Sequence, residues 1–380
     1  MLMGLDLCRR KSTSRWPPTV CVTWCLLLLG LIVLYPFNWA FPGSPAPYAE
    51  QDYKGGFSTD FFFPYLEYNE KDGSIPGFDW DASSDLGEHQ LSAHGGIGME
   101  SGKEQLLMGY TYLGWYPALG VSLYDKNTFF EDISSTGKDE DDWLREVGGN
   151  LFVNWPFDFH HRISLAYHLE SVELLDETTR LNSFSVSLVR DTAQYYIIET
   201  ISGTQVNLTS EFGDEALGSQ RNFESYTGDL RLYANMDLGR YFRSGQRLVA
   251  AFRLHGGVKK NDPRFFHLGG SDSLRGYDYH EFFGEKMWGT SLELRYPTYV
   301  IRRLHLHQLL VLAFVDAGEI WRHYEDDDSI SGVEASVGVG ARLQMFFFGK
   351  IPFVVGLDVA RSVTDPERAI QTYLVLKLGI

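Results

Sequence analysis

From Val333 to Met345 every second side chain is apolar and the ones between are polar or small. Val333, Ala335, Val337, Val339, Ala341, Leu343 and Met345 share one face; Glu334, Ser336, Gly338, Gly340, Arg342 and Gln344 share the other. A period of two is that of a strand with unlike faces, and a helix does not produce it. The pattern recurs upstream. Trp288, Thr290, Leu292, Leu294 and Tyr296 oppose Gly289, Ser291, Glu293 and Arg295, while Ile163, Leu165, Tyr167 and Leu169 oppose Arg162, Ser164, Ala166 and His168. Beyond residue 60 no apolar stretch reaches the 20 residues of a membrane helix. A lipid-spanning body built from this segment must therefore be a closed barrel, because an open sheet leaves its edge N–H and C=O groups unsatisfied in hydrocarbon.

Fifteen segments read as strands: near 61–69, 88–98, 104–114, 118–126, 146–156, 160–171, 182–191, 203–213, 224–236, 246–258, 286–297, 308–320, 332–346, 351–362 and 370–380. Bacterial barrels use even numbers of strands, so a sixteenth is expected at the N-terminal end, around 53–60. A soluble sandwich alternates in the same way, and periodicity alone does not say which face meets lipid. Three features favour the membrane: polar faces rich in glycine and serine, aromatic strand ends (15% of the chain is aromatic), and an N-terminus built for export. Arg9, Arg10, Lys11 and Arg15 precede the apolar run Val20–Leu34, the charged and apolar regions of a secretory signal. Residues 1–49 are accordingly expected to be a signal and processing region, 50–60 a linker or first strand, and 61–380 an all-β transmembrane antiparallel barrel of sixteen strands.

The net charge of −17 excludes a nucleic-acid-binding footprint, which is basic. Cys8, Cys21 and Cys25 all lie in the first 25 residues, so no disulfide framework or thiol metal site is available beyond them. Catalytic patterns are missing as well: there is no G-x-S-x-G, no phosphate-binding glycine loop, and Gly269-Gly270-Ser271-Asp272-Ser273 lacks the closing glycine. His160-His161 and His305-x-His307 supply too few ligands for a metal, and the acidic runs at 138–142 and 325–328 read as solvated loop tips. The expectation is a protein that is not an enzyme and uses no cofactor or metal.

The stretch 259–285 is too long for an ordinary connection and too rich in aromatic residues and glycines to be low-complexity chain. At its centre stands Leu274-Arg275-Gly276-Tyr277; downstream come Glu293-Leu294-Arg295-Tyr296-Pro297 and Phe314-Val315-Asp316-Ala317-Gly318. An arginine held away from bulk water needs an anionic partner. By alternation Asp316 and Glu293 point inward, where either can accept a bidentate guanidinium. Gly276 permits the turn that presents Arg275, and Tyr277 is expected to pack against the wall.

In this set of motifs, in this order, the chain resembles the bacterial surface antigen superfamily of outer-membrane barrels, which includes the BamA and TamA type and the transporters of two-partner secretion. The resemblance implies sixteen strands with a long extracellular loop, between the eleventh and twelfth, folded back into the lumen. It implies that the loop motif (V/I/L)-R-G-(F/Y), here Leu274, Arg275, Gly276 and Tyr277, meets an inner-wall motif F-x-D-x-G, here Phe314, Asp316 and Gly318. It implies a function in polypeptide assembly or translocation in the outer membrane of a Gram-negative bacterium. The partners implied are outer-membrane lipid and lipopolysaccharide, together with polypeptide clients. Transporting members carry periplasmic polypeptide-binding domains before the barrel, whereas about 20 linker residues stand there in this sequence. A separately encoded periplasmic module is the matching partner, and a passive channel or structural surface barrel is the alternative function.

Overall fold

A computed structural model describes residues 55–69, 72–130, 142–174, 177–237, 247–300, 306–323, 332–347 and 351–378. The apolar run Val20–Leu34, the expected boundary at residue 49, His305 and nearly all of both acidic runs lie outside the described residues.

Sixteen long strands follow one another: β1 Phe57–Asn69, β2 Gly73–Ser84, β3 His89–Ile97, β4 Glu104–Tyr112, β5 Ala118–Phe130, β6 Asp142–Pro156, β7 His161–Leu174, β8 Glu177–Asp191, β9 Glu199–Gly213, β10 Phe223–Asp237, β11 Arg247–Lys260, β12 Lys286–Val300, β13 Leu306–Trp321, β14 Glu334–Phe347, β15 Ile351–Ser362 and β16 Gln371–Leu378. Each pairs antiparallel with the next, from β1 with β2 to β15 with β16. The result is one meander with β1 and β16 at its two ends. Among the described residues no pairing joins those ends directly. A short strand, Gln194–Tyr196, lies beside the start of β9.

The sixteenth strand is not where the sequence placed it. Residues 57–60 open β1, which runs on into the expected 61–69, and the unassigned strand is the second, Gly73–Ser84. Pro76 and Gly77 disguise it, since both residues punctuate strands. Gly77 is there for space: a Cβ on it would stand 2.3 Å from the ring of Tyr65 on β1. Past that point Phe78 and Trp80 alternate with Asp79 and Asp81 in the usual way.

Exposure settles which face is which. On β14, Val337 and Val339 are 45% and 61% exposed, while Ser336 before them and Gln344 beyond them are 0% and 1%. Leu151, Leu169, Leu188, Leu208, Leu292, Leu357 and Leu374 are likewise exposed, and Glu170, Ser183, Ser225, Asp316 and Asp358 are buried. The apolar face looks outward and the polar face inward, the reverse of a soluble fold. A continuous apolar exterior on this scale is stable against hydrocarbon and not against water. The sixteen-stranded antiparallel sheet expected from the sequence is the architecture observed, with the apolar face outward as a membrane barrel requires.

Among the described residues, most of the buried apolar side chains fall into three separate clusters in place of a single core. One joins Phe130, Leu144, Val172, Leu181, Phe223 and Phe283, one joins Leu268, Leu274, Tyr277 and Ile320, and one joins Leu310, Leu312, Phe314 and Ala360. The first two exist because the connection between β11 and β12 lies on the inner face.

Candidate functional site

That connection, 261–285, is not irregular throughout. Phe266–Leu268 and Phe282–Gly284 pair as a small hairpin, with Phe266 opposite Gly284 and Leu268 opposite Phe282. The hairpin is a stem, and residues 269–281 are the tip it carries. The connection starts two residues later than the sequence suggested, since Lys259 and Lys260 belong to β11.

At the base, Phe265 and Phe283 pack on Phe130 of β5, with ring centroids 6.1 and 5.4 Å away, beside Leu144, Val172 and Leu181. Arg264 reaches the same wall. It bonds Asp262 at 2.8 Å, Glu211 of β9 at 3.0 Å and Glu170 of β7 at 3.5 Å, over the ring of Phe223. Burial works against the charge on Arg264, but the Asp262 carboxylate and then those of Glu211 and Glu170 outweigh it and hold its pKa well above the ordinary value. Neither this anchor nor Arg264 was singled out from the sequence. The available signal was an arginine two residues after an aspartate at the mouth of an aromatic-rich loop.

The tip crosses to the other side of the sheet. Gly269, Gly270 and Gly276 have φ of 116°, 95° and 95°, values that side chains rarely tolerate. Ser273 closes the turn by accepting from the N–H of Gly269 and donating to its carbonyl, both at 3.0 Å. Gly276 lies flat on the wall: a Cβ there would meet Ser336 of β14 at 3.1 Å and the Arg361–Ser362 backbone of β15 at 3.3 Å. Its N–H donates to the Tyr373 hydroxyl of β16 at 2.8 Å, and that hydroxyl donates to the carbonyl of Tyr277 at 2.7 Å.

Of the residues picked from the sequence, the structure brings Arg275, Glu293, Phe314 and Asp316 into contact. The Arg275 Nε donates to Asp316 Oδ2 at 2.7 Å and its Nη2 to Asp316 Oδ1 at 2.8 Å, a bidentate pair. Nη1 stands 2.7 Å from Glu293 Oε1, and the guanidinium carbon lies 3.4 Å from the centroid of the Phe314 ring. Leu274 and Tyr277 are fully buried with Leu268 and Ile320. The Tyr277 hydroxyl donates to Glu334 at 2.5 Å and meets Ser362 and Thr364 at 2.8 and 2.6 Å. Gly318 does not touch the arginine. A Cβ there would stand 2.6 Å from Leu268, so its role is to leave room for the stem.

Sequence reasoning missed several members of this site. Asp358 of β15 accepts from Arg275 Nη1 at 3.3 Å and is itself clamped by Arg342 of β14, at 2.6 Å from Nη2. Ser291 accepts from Arg275 Nη2 at 3.1 Å and donates to Asp316 at 2.6 Å. Glu293 is shared with Arg295, which also reaches Glu199 at 2.9 Å. Burial disfavours the charge on Arg275, yet Asp316 and then Glu293 more than offset that and raise its pKa above the ordinary value. A lone acid in the otherwise apolar Ile351–Ala360 was a signal for Asp358; its placement beside Arg275, across 83 residues of chain, was not readable. This arrangement binds a guanidinium tightly and positions a loop.

A comparison with curated protein sequences returned no match. Among solved structures, the chain is similar to BamA from Haemophilus ducreyi lacking POTRA domains 1-3, with 14% identity and a TM-score of 0.63, covering 97% of this chain and 80% of that one. It is similar to CdiB from Escherichia coli, with 12% identity and a TM-score of 0.57, covering 87% of this chain and 63% of that one. For CdiB from Acinetobacter baumannii the identity is 15% and the TM-score 0.55, with 86% of this chain and 60% of that one covered. The chain thus spans less than two thirds of either CdiB, and at these identities the likeness is one of fold. The family model for the Omp85 superfamily domain matches residues 117–374, from the start of β5 into β16. This protein belongs to the Omp85 superfamily.

Proposed function

We propose that this chain is a non-enzymatic outer-membrane barrel of the polypeptide assembly and translocation class, residing in the outer membrane of a Gram-negative bacterium. Its apolar exterior faces lipid and lipopolysaccharide, and its clients are polypeptides, handled together with a periplasmic module. The loop 261–285 acts as a lock: while Leu274–Tyr277 is seated on β12–β16, the loop braces the barrel and obstructs its interior.

The observation that carries this reading is the seat of Arg275. It is 5% exposed and meets three carboxylates, a serine and an aromatic face, all supplied by the wall. A loop that only filled space would not need so many convergent charged groups, each of which costs desolvation. Family membership supports the class of client.

The test is single-channel conductance of the refolded protein in planar bilayers, wild type beside Arg275→Ala. The lock predicts current that appears, or grows in amplitude, in the variant. Identical traces from the two proteins would reject the loop as an obstruction.

A further inference from the structure

The seat of Arg275 recognises a chemical group more than it recognises this loop. Ser291, Glu293, Phe314, Asp316 and Asp358 all engage the guanidinium. The loop backbone adds one weaker contact, the Arg275 N–H to Asp316 at 3.3 Å. Two parallel N–H groups meet Asp316, the far edge meets Glu293 and Asp358, and the plane lies on Phe314. A planar five-donor fork satisfies all of these together, and an ammonium does not. The seat is also accessible from one side. Arg275, Ser291, Glu293 and Asp358 line a cavity of about 550 Å3 on the inner face, whose walls carry Arg231, Arg253 and Arg295 as well. Those arginines already hold carboxylates of their own, Asp229 for the first two and Glu199 with Glu293 for the third.

Resting on the reading of this barrel as one that handles polypeptides, we propose that the seat is a guanidinium receptor for the client: an arginine side chain of a polypeptide in the cavity takes the place of Arg275, and the loop tip leaves as it does so. Exchanging one arginine for another conserves the charge and hydrogen bonds at the seat. Asp316, paired with Arg275 alone among the described residues, is then never left buried without a cation, which is the costly state, while Glu293 and Asp358 keep Arg295 and Arg342 throughout. The differential contacts that drive release come from the rest of the client, as any ligand-driven shift requires.

The test uses the full chain refolded in detergent micelles, with the heat-modified unfolding midpoint as readout. Arg275→Ala lowers that midpoint. Methylguanidinium at tens of millimolar is expected to restore about half of the loss by mass action. Ethylammonium at equal concentration has the same charge without the fork and is expected to restore far less. The double variant Arg275→Ala, Asp316→Asn is expected not to respond. Where Arg275→Ala does not refold, its refolding yield with and without each cation is the readout, with the same expected order. A weakened variant that neither cation rescues, or that both rescue equally, overturns the receptor and leaves the lock standing. An Arg275→Ala protein as stable as wild type overturns both.

Discussion

Two buried arginines sit eleven residues apart in one loop, and they are held in opposite ways. Arg275 at the tip has no carboxylate partner of its own segment; Glu293, Asp316 and Asp358 all belong to the wall. Arg264 at the base keeps Asp262 two residues away, and its wall partners Glu211 and Glu170 stand at 3.0 and 3.5 Å. If the base undocks, Arg264 takes the carboxylate of Asp262 with it as a neutral pair, and Glu170 and Glu211 keep the hydroxyls of Tyr124 and Ser183. If the tip undocks, Arg275 leaves with no carboxylate of its own, and Asp316 loses its cation while Glu293 keeps Arg295 and Asp358 keeps Arg342. The departing tip is therefore a bare cation and the departing base a neutral pair, although both bury a full charge.

The largest effects are expected at the two arginines. Arg275→Ala breaks a buried ion-pair cluster, which costs about 3–5 kcal/mol, read as a lower unfolding midpoint and as lost hydrogen-exchange protection over 269–281. Arg264→Ala leaves Asp262, Glu211 and Glu170 without their arginine and is expected to cost about as much. Removing Asp262 together with Arg264 should recover part of that loss; a double variant no more stable than Arg264→Ala would erase the contrast drawn above. A double-mutant cycle sharpens it: Arg275→Ala with Asp316→Ala should be strongly non-additive, whereas Arg275→Ala with Arg264→Ala should add, because the two share no partner. Gly276→Ala, forced to a φ of 95° and against Ser336, is expected to cost about 1–2 kcal/mol. Tyr373→Phe, which removes only the bridge to Gly276 and Tyr277, should cost about 1 kcal/mol.

Acid should separate the two anchors as well. His280 packs against His267 in a tilted pair, with ring centroids 3.6 Å apart, and stacks on Phe130 at 6.3 Å. Burial, and then the neighbouring His267, push its pKa down to about 3. A histidine released to water titrates near 6.5, so the undocked loop takes up a proton that the docked loop refuses. Docking is then at full strength above about pH 6.5 and weakens as pH falls toward 3. Hydrogen exchange of the loop at pH 5 and pH 7.5 checks this, and His280→Gln should remove most of the difference. An unchanged pH response in that variant would place the sensitivity elsewhere.

Much of this was legible in the sequence, for physical reasons. Alternation is written locally, so fifteen strands could be marked, and the conjunction of Leu274–Tyr277 with Phe314–Gly318 pointed to a loop and its wall. The direction of the alternation was not legible: Val337 beside Ser336 reads the same whether the valine meets lipid or a soluble core, and only exposure tells them apart. The second strand was hidden by Pro76 and by Gly77, and the use of Gly77 depends on the ring of Tyr65 across the pair. Asp358 and Tyr373 were hidden by distance, because their proximity to the loop comes from strand register and not from anything written near residues 358 or 373.

The wall contacts of the loop also divide by position along the chain. Those of Arg264, namely Glu170, Glu211 and Phe223, all precede it. Those of Arg275 and the Tyr277 hydroxyl, from Ser291 to Thr364, all follow. A chain laid down in order from its N-terminus therefore finds the base of its loop ready-made and the seat of its tip unbuilt. Arg275 has no complete seat until β12, β13 and β15 are in register, so the click of that one side chain is a timestamp: it records that the sheet has been laid down as far as Asp358.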